Sequence, residues 1–247
     1  MADLKKGDKG QAVKDLQEAL VAKGYDVGVI DGIFGDKTES ALLKFQKSLG
    51  VTPTGTLGPW VASKLLTNAS SKKKTITITA GHNTKDPGAV NGKRTEAAIV
   101  TELRNIVAGK LKSLGHIVKT DGEGDTNQIL SEAVKLIKGS DIAVEFHLNA
   151  AASKSAKGVE ALAGTKHKEV CQDMCQAIAK VLGTTVRGGD GGWKPENSGQ
   201  HSRLAFVSGG GIILETFFIT NEDELAAYDR NKEKVADAII EAILKNL

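Results

Sequence analysis

The chain has 247 residues, 40% hydrophobic and 26% charged, a length that buries a sizeable core and suits one large domain or two. Its net charge of +3 fits an anionic partner but is too small to imply nucleic acid by itself. No stretch approaches the roughly 18 uninterrupted apolar residues that span a bilayer, so stable membrane insertion is not expected.

The first residues, Met-Ala-Asp-Leu-Lys-Lys, run directly into polar, patterned sequence and lack the apolar core of a secretory signal. A chain made in the cytoplasm, or one stripped of its leader, is expected. Val13, Leu16 and Leu20 then recur at helical spacing, with Ala12 and Ala19 beside them. A glycine-rich loop over 24–35 leads to a second helix carrying Ala41, Leu42, Phe45 and Leu49. Asp36 with Glu39 three residues later reads as a capping box at its start. A third helix is predicted from Pro59 to Leu66, with proline in the first turn. Residues 68–74 are wholly polar and read as a linker. Its lysines, 72–74, read as solvated charge. The division expected is therefore a small three-helix domain over 1–67, a linker over 68–74 and a second domain over 75–247.

The first domain resembles the peptidoglycan-binding domain of cell-wall hydrolases over about residues 4–66, within the boundary tolerance of such readings. The resemblance rests on Leu16-Gln17, Gly24-Tyr25, Asp31-Gly32, Phe34-Gly35, Thr38, Ala41 and Phe45-Gln46. It implies wall binding. The same residues also have structural work to do, glycines turning the chain and apolar positions packing three helices.

Beyond the linker the pattern changes. Strands are predicted over 75–79, 116–120, 141–148, 158–164, 203–207 and 211–215. Helices are predicted over 95–114, 126–138, 167–182 and from Asn221, a plausible N-cap with Glu224 three residues on. Strands alternating with amphipathic helices imply an α/β fold, a mostly parallel sheet flanked by helices. Cys171 and Cys175, four apart on a helix, read as two free thiols, because helix geometry does not favour bridging neighbouring turns.

Sites in open α/β sheets form beyond the carboxyl ends of strands. His82 follows the first strand, His147 lies near the end of the third, and Glu215 closes the last. Over 141–148, Ile142, Val144, Phe146 and Leu148 share one face, leaving Ala143, Glu145, His147 and Asn149 on the other. Polar residues on a face that helices should cover are costly unless they form a site. Glu96 opens a helix and leans toward its stripe of Ile99, Leu103 and Ile106, where an inward carboxylate needs a partner. Two histidines and a carboxylate are a common catalytic zinc set, with a separate carboxylate moving the proton. Each residue also has a plainer role. The histidines suit a loop or core, Glu96 suits a helix first turn, Glu215 suits structure, and Glu145 competes with Glu96 or orients a ligand. Spacing alone does not choose zinc or name a substrate.

The second domain resembles the zinc-dependent N-acetylmuramoyl-L-alanine amidases over about 75–247, within the same tolerance. Four ordered motifs carry it: Gly81-His82 with Asp86-Pro87-Gly88-Ala89; Glu96; Phe146-His147-Leu148-Asn149-Ala150 followed by Gly158-Val159-Glu160; and Leu214-Glu215 with Phe218-Ile219 and Thr220-Asn221. The resemblance implies cleavage of the amide between N-acetylmuramic acid and L-alanine of the stem peptide. It implies one zinc ion on His82, Glu96 and His147, and Glu215 as acid and base. Glu145 and Asn149 are candidates for supporting a ligand or binding substrate, and Arg203 lies near the site with no assigned job. The sequence departs from the family at Asn83, where glycine is common, at Glu145, often a small residue, and at the glycine-rich run 208–211, which allows a mobile rim. Trp193, in the loop from Arg187 to Gln200, reads as an ordinary loop anchor, with a sugar- or peptide-contacting rim as the alternative. A wall-binding domain joined to a hydrolase without a leader resembles phage lysins, although an autolysin lacking its leader would look the same. The expected partner is bacterial peptidoglycan and the expected state a monomer. The alternatives are a zinc peptidase cutting within the stem peptide and a non-catalytic wall-binding adaptor.

Overall fold

A computed structural model describes residues 3–66, 73–83, 85–195 and 204–247. The chain divides into two compact units, Met1–Lys72 and Lys73–Leu247. Of the expected linker, residues 68–72 lie outside the described residues.

The first unit holds α1 (Gln11–Ala22), α2 (Asp36–Ser48) and α3 (Pro59–Leu66). Val13, Leu16, Leu20, Phe34, Leu42, Phe45 and Leu65 form its core, while Ala12 faces solvent. The helical phase of the sequence thus picks the packed stripe but overstates its width by one alanine. The expected capping box does not form. Gly35 is the N-cap of α2 and makes no side-chain cap bond, and Asp36 and Glu39 instead both pair with Lys6. Two buried glutamines brace the loops. Gln17 donates to Asp31 Oδ1 and Ile33 O, both at 3.1 Å, and accepts from Gly32 N at 2.8 Å. Gln46 donates to Thr56 O at 2.8 Å and accepts from Thr54 N at 2.9 Å. A buried amide that satisfies several loop groups at once is costly to replace by an apolar residue.

The second unit runs β1 (Thr75–Ala80), β2 (Val90–Asn91), β3 (Arg94–Thr95), α4 (Glu96–Ser113), β4 (Ile117–Thr120), α5 (Leu130–Leu136), β5 (Ile142–Asn149), β6 (Glu160–Ala163), α6 (Lys168–Leu182), β7 (Trp193–Lys194), α7 (Ala205–Ser208), β8 (Ile212–Phe218) and α8 (Glu222–Lys245). The sheet order is β4-β1-β5-β8-β6-β7. The strands β4, β1, β5 and β8 are mutually parallel, β6 is antiparallel to β8, and β7 is parallel to β6. This is the α/β arrangement expected, with the reversed strand set toward one edge, as is common in large sheets.

One face carries Ile76, Ile78, Ile142, Val144, Phe146, Leu148, Ile212 and Leu214, packed under α4, α6 and α8. On α6 the buried positions are Val170, Cys171, Met174, Cys175, Ile178, Ala179 and Leu182, a continuous helical stripe. Both cysteines are unpaired and buried there. Burial pushes the Cys171 thiol up to about 12 and raises Cys175 further. Asn221 caps α8, its Oδ1 accepting from Glu224 N at 3.1 Å. The opposite face is apolar only toward the amino ends of the strands, where Ala143, Leu162 and Ile213 pack with Ala133, Phe206 and Val207. Toward the carboxyl ends it turns polar. No helix among the described residues is long and apolar enough to cross a membrane.

Three elements depart from expectation. The helix expected over 126–138 begins only at Leu130, because Thr126 and Asn127 are spent on loop contacts to Glu123 O and Ala80 O. The strand expected over 203–207 is the single helical turn α7; position 203 lies outside the described residues. Short apolar runs carry no periodicity that separates helix from strand, and here Phe206 and Val207 serve a small cluster rather than a ladder. The glycine-rich run 208–211 is not a rim of the site. Its four N–H groups donate back to the carbonyls of Leu204, Ala205, Val207 and Phe206 at 2.8–2.9 Å, and it enters β8 from the amino end, away from the polar edge.

Candidate active site

The chain leaves β1 through Gly81 and His82. His82 has φ 65° and is the one non-glycine residue with positive φ among the described residues, a conformation that costs energy and persists only when its surroundings impose it. A buried network imposes it. Asn127 Nδ2 donates to Ala80 O at 2.6 Å and also to His82 O. Asp121 accepts from Ala80 N at 3.2 Å. Fully buried Arg104 lies 3.3 Å from Asp121 and donates to Asn127 Oδ1, Thr126 O and Gly124 O at 2.9–3.0 Å. Sequence reasoning missed all three residues. The available signal was Arg104 itself, a charge between Val100, Leu103 and Val107 on the buried stripe of α4.

Glu96 is the first residue of α4, whose N-cap Thr95 accepts from Ala98 N at 3.3 Å. The carboxylate is 3% exposed and accepts from Leu148 N at 2.9 Å and Ala89 N at 3.0 Å. One oxygen lies 3.1 Å from His147 Nδ1 and the other 3.3 Å from His82 Nε2. Burial works against its ionisation, but the two imidazoles and the Ala89 amide win and hold it well below the usual carboxylate range.

Each imidazole has a second carboxylate on its far nitrogen. His82 Nδ1 is 3.0 Å from Asp86 Oδ2, and His147 Nε2 is 3.2 Å from Glu145 Oε1. Glu145 therefore sits behind His147 rather than in the cluster formed by His82, Glu96 and His147, whose ligating atoms lie within 4.8 Å of one another. Burial opposes the charged form of His147, yet Glu145 and Glu96 raise it to about 10. Close backbone approach makes room for the rings. A β-carbon on Gly81 would collide with the His147 imidazole, and one on Gly88 would lie 2.6 Å from both Glu96 Oε2 and His82 Cδ2.

Glu215 on β8 is in register with His147 on β5, so both side chains leave the same face. It is 8% exposed, and its Oε2 is buried with no hydrogen-bond partner among the described residues. Burial pushes the carboxyl up to about 7 against the pull of His147. The row continues to Glu160 on β6, in register with Glu215. Glu160 accepts from Asn149 Nδ2 at 3.1 Å, and Lys194 and Arg187 lie 2.6 and 3.2 Å from it. Trp193 anchors β7, donating to Ala163 O at 3.0 Å beneath the Lys168 ammonium. Arg203 lies outside the described residues. The structure thus brings His82, Glu96, His147 and Glu215 to one strand-end edge, with Glu145 and Asn149 one layer away.

Residues 76–245, more than half of the chain, match the family model for N-acetylmuramoyl-L-alanine amidase. This chain belongs to that family. Residues 9–65 match the model of a peptidoglycan binding domain. A Bacillus licheniformis protein described as an N-acetylmuramoyl-L-alanine amidase is 38% identical over 90 residues, covering 34% of this chain and 25% of its own length. The germination-specific N-acetylmuramoyl-L-alanine amidase of Bacillus subtilis is 26% identical over 193 residues, covering 70% of this chain and 79% of its own. A crystal structure described as an N-acetylmuramoyl-L-alanine amidase of Neisseria meningitidis is 50% identical with a TM-score of 0.62, covering 69% of this chain and 93% of that one. This chain spans less than half the length of several curated relatives that it matches.

Proposed function

We propose that the protein hydrolyses the amide joining N-acetylmuramic acid to L-alanine in bacterial peptidoglycan, with one zinc ion on His82, Glu96 and His147 and with Glu215 as acid and base. One observation carries this reading. Two imidazoles and a carboxylate converge with ligating atoms within 4.8 Å of one another, beside a buried carboxylate oxygen that has no protein partner among the described residues. The donor set suits zinc, which binds imidazole and carboxylate and in catalytic sites leaves a position open. Asp86 and Glu145, on the far nitrogens, are the outer partners that fix a ligating imidazole's tautomer and ring orientation.

When bound, zinc supplies Lewis acidity to the attacking water and to the scissile carbonyl. The chain's own residues do the rest. Glu215, held near neutrality by burial, accepts the proton of the attacking water and then passes it to the amine of L-alanine as that amine leaves. The Arg104, Asp121 and Asn127 network holds the Ala80–His82 backbone, and thereby His82, in place. Residues 1–67 hold the enzyme on the wall, residues 68–74 connect, and residues 75–247 cut. The protein acts on the cell wall, with bacterial peptidoglycan as its partner.

Mass spectrometry of digested wall material tests the reaction. Intact stem peptides with a free N-terminal L-alanine are expected, and fragments cut between amino acids would overturn it. The Glu215→Gln variant is expected to lose about 10²–10⁴-fold in kcat while keeping its metal and its wall binding. Chelation should abolish activity and added zinc restore it; full activity in a metal-free preparation would refute the metal assignment.

A further inference from the structure

Resting on that reading of the reaction, we propose that Arg187 and Lys194 form a carboxylate-binding subsite for the stem peptide, one strand beyond Glu215. Glu160 and Glu215 face each other across the β6–β8 ladder, so their β-carbons are about 5 Å apart on the same face. A groove of about 800 Å³ opens there, lined by Asn149, Ala151, Glu160, Arg187, Lys194 and Phe218 among others. Its floor is Glu160, 2% exposed. Both of its oxygens are used, one by Asn149 and the other by Arg187 Nε and Lys194 Nζ.

The charge does not balance. One buried carboxylate faces two cations. Asp190, the other acid on the groove wall, is drawn to Lys168 at 2.6 Å and accepts from Gln172 at 2.9 Å. Among the described residues that line the groove, one positive charge is therefore left over. It is also accessible, the Arg187 and Lys194 side chains being 38% and 27% exposed. The Arg187 guanidinium lies over the Phe218 ring at 4.7 Å. It uses Nε for Glu160 and Nη1 for Lys157 O at 3.4 Å, leaving Nη2 with no partner among the described residues. Buried Glu160 thus holds two long side chains ready for an anion at reduced entropic cost. The groove adjoins the proton-transferring carboxylate, and the leaving group there is a peptide bearing free carboxylates. A carboxylate is the anion that matches one surplus charge at this position.

Calorimetry with two probes tests the subsite without relying on turnover. One probe is the peptide L-alanyl-γ-D-glutamyl-diamino acid with free carboxylates, and the other is the same peptide with its glutamyl α-carboxylate amidated. The wild-type protein should bind the free acid about tenfold or more tightly than the amide, as expected for loss of a charge-assisted hydrogen bond. The Arg187→Met/Lys194→Met double variant should lose that preference. A triple variant adding Glu160→Gln removes the buried charge left behind and serves if the double variant fails to fold. Equal affinity of the wild type for both peptides would overturn the subsite, as would a preference that survives in the triple variant. Cleavage of muropeptides, scored separately, divides the two claims. Preference without cleavage sinks the amidase reading alone, and cleavage without preference sinks the subsite alone.

Discussion

Glu96 is where a single side chain does most at the site, since it touches both imidazoles and accepts two backbone amides. Its inward lean was legible in the sequence as helical phase, and the polar face of β5 was legible as alternation. The choice between Glu96 and Glu145 was not, because strand alternation gives a face and says nothing of which nitrogen a carboxylate meets. The supporting residues can be tested one at a time. Glu145→Gln should lower metal affinity about 10–100-fold, the usual effect of losing an outer partner, measured by competition with a chelator. Gly81→Ala forces the His147 ring aside and should lower metal content and activity together while leaving wall binding intact. The pH profile follows from Glu215, which burial raises to about 7. In the proposed role it must be ionised to accept a proton, so kcat/KM should fall as pH drops through its pKa. A neighbouring cation favours the ionised form, so the limb should lie below 7 in the metal-loaded enzyme. Glu215→Gln should abolish that limb.

Elements succeed or fail by how much of their signal is local. The strand runs around β1, β5 and β8, and the stripes of α4, α6 and α8, are written in β-branched runs and helical spacing. The turn of α7, the two-residue β7 and the late start of α5 are set by partners far along the chain. Asn127 reaches back to the carbonyls of Ala80 and His82, and no pattern within 126–138 announces this. The same network makes the join between β1, β4, α4 and the segment before α5 an energetic unit. Arg104→Met would leave Asp121, 0% exposed, without its cation. A broken buried pair typically costs about 3–5 kcal/mol. Chemical denaturation should show that loss, with much of it recovered when Asp121→Asn is added, because the stranded charge is then gone.

Among the described residues each unit has apolar clusters of its own, the first built on Leu16, Leu42 and Phe45 and the second on the two faces of the sheet and the helices against them. Each unit therefore satisfies its own apolar surface. A chain reduced to 73–247 should unfold cooperatively and cleave soluble muropeptides at close to the full rate. On intact walls it should be about 10²-fold or more slower, because tethering raises effective concentration by that order. Equal rates on walls would show that the first unit contributes nothing to targeting.

The interior of α6 has a further consequence. Cys171 and Cys175 are sealed in the main core with thiols shifted well above the range in which a thiolate forms. Reactivity toward oxidants and disulfides requires an accessible thiolate. Neither sulfur should react with a thiol reagent until the unit unfolds. The chain is in that sense indifferent to redox potential: it gains no crosslink in oxidising surroundings and loses none in reducing ones.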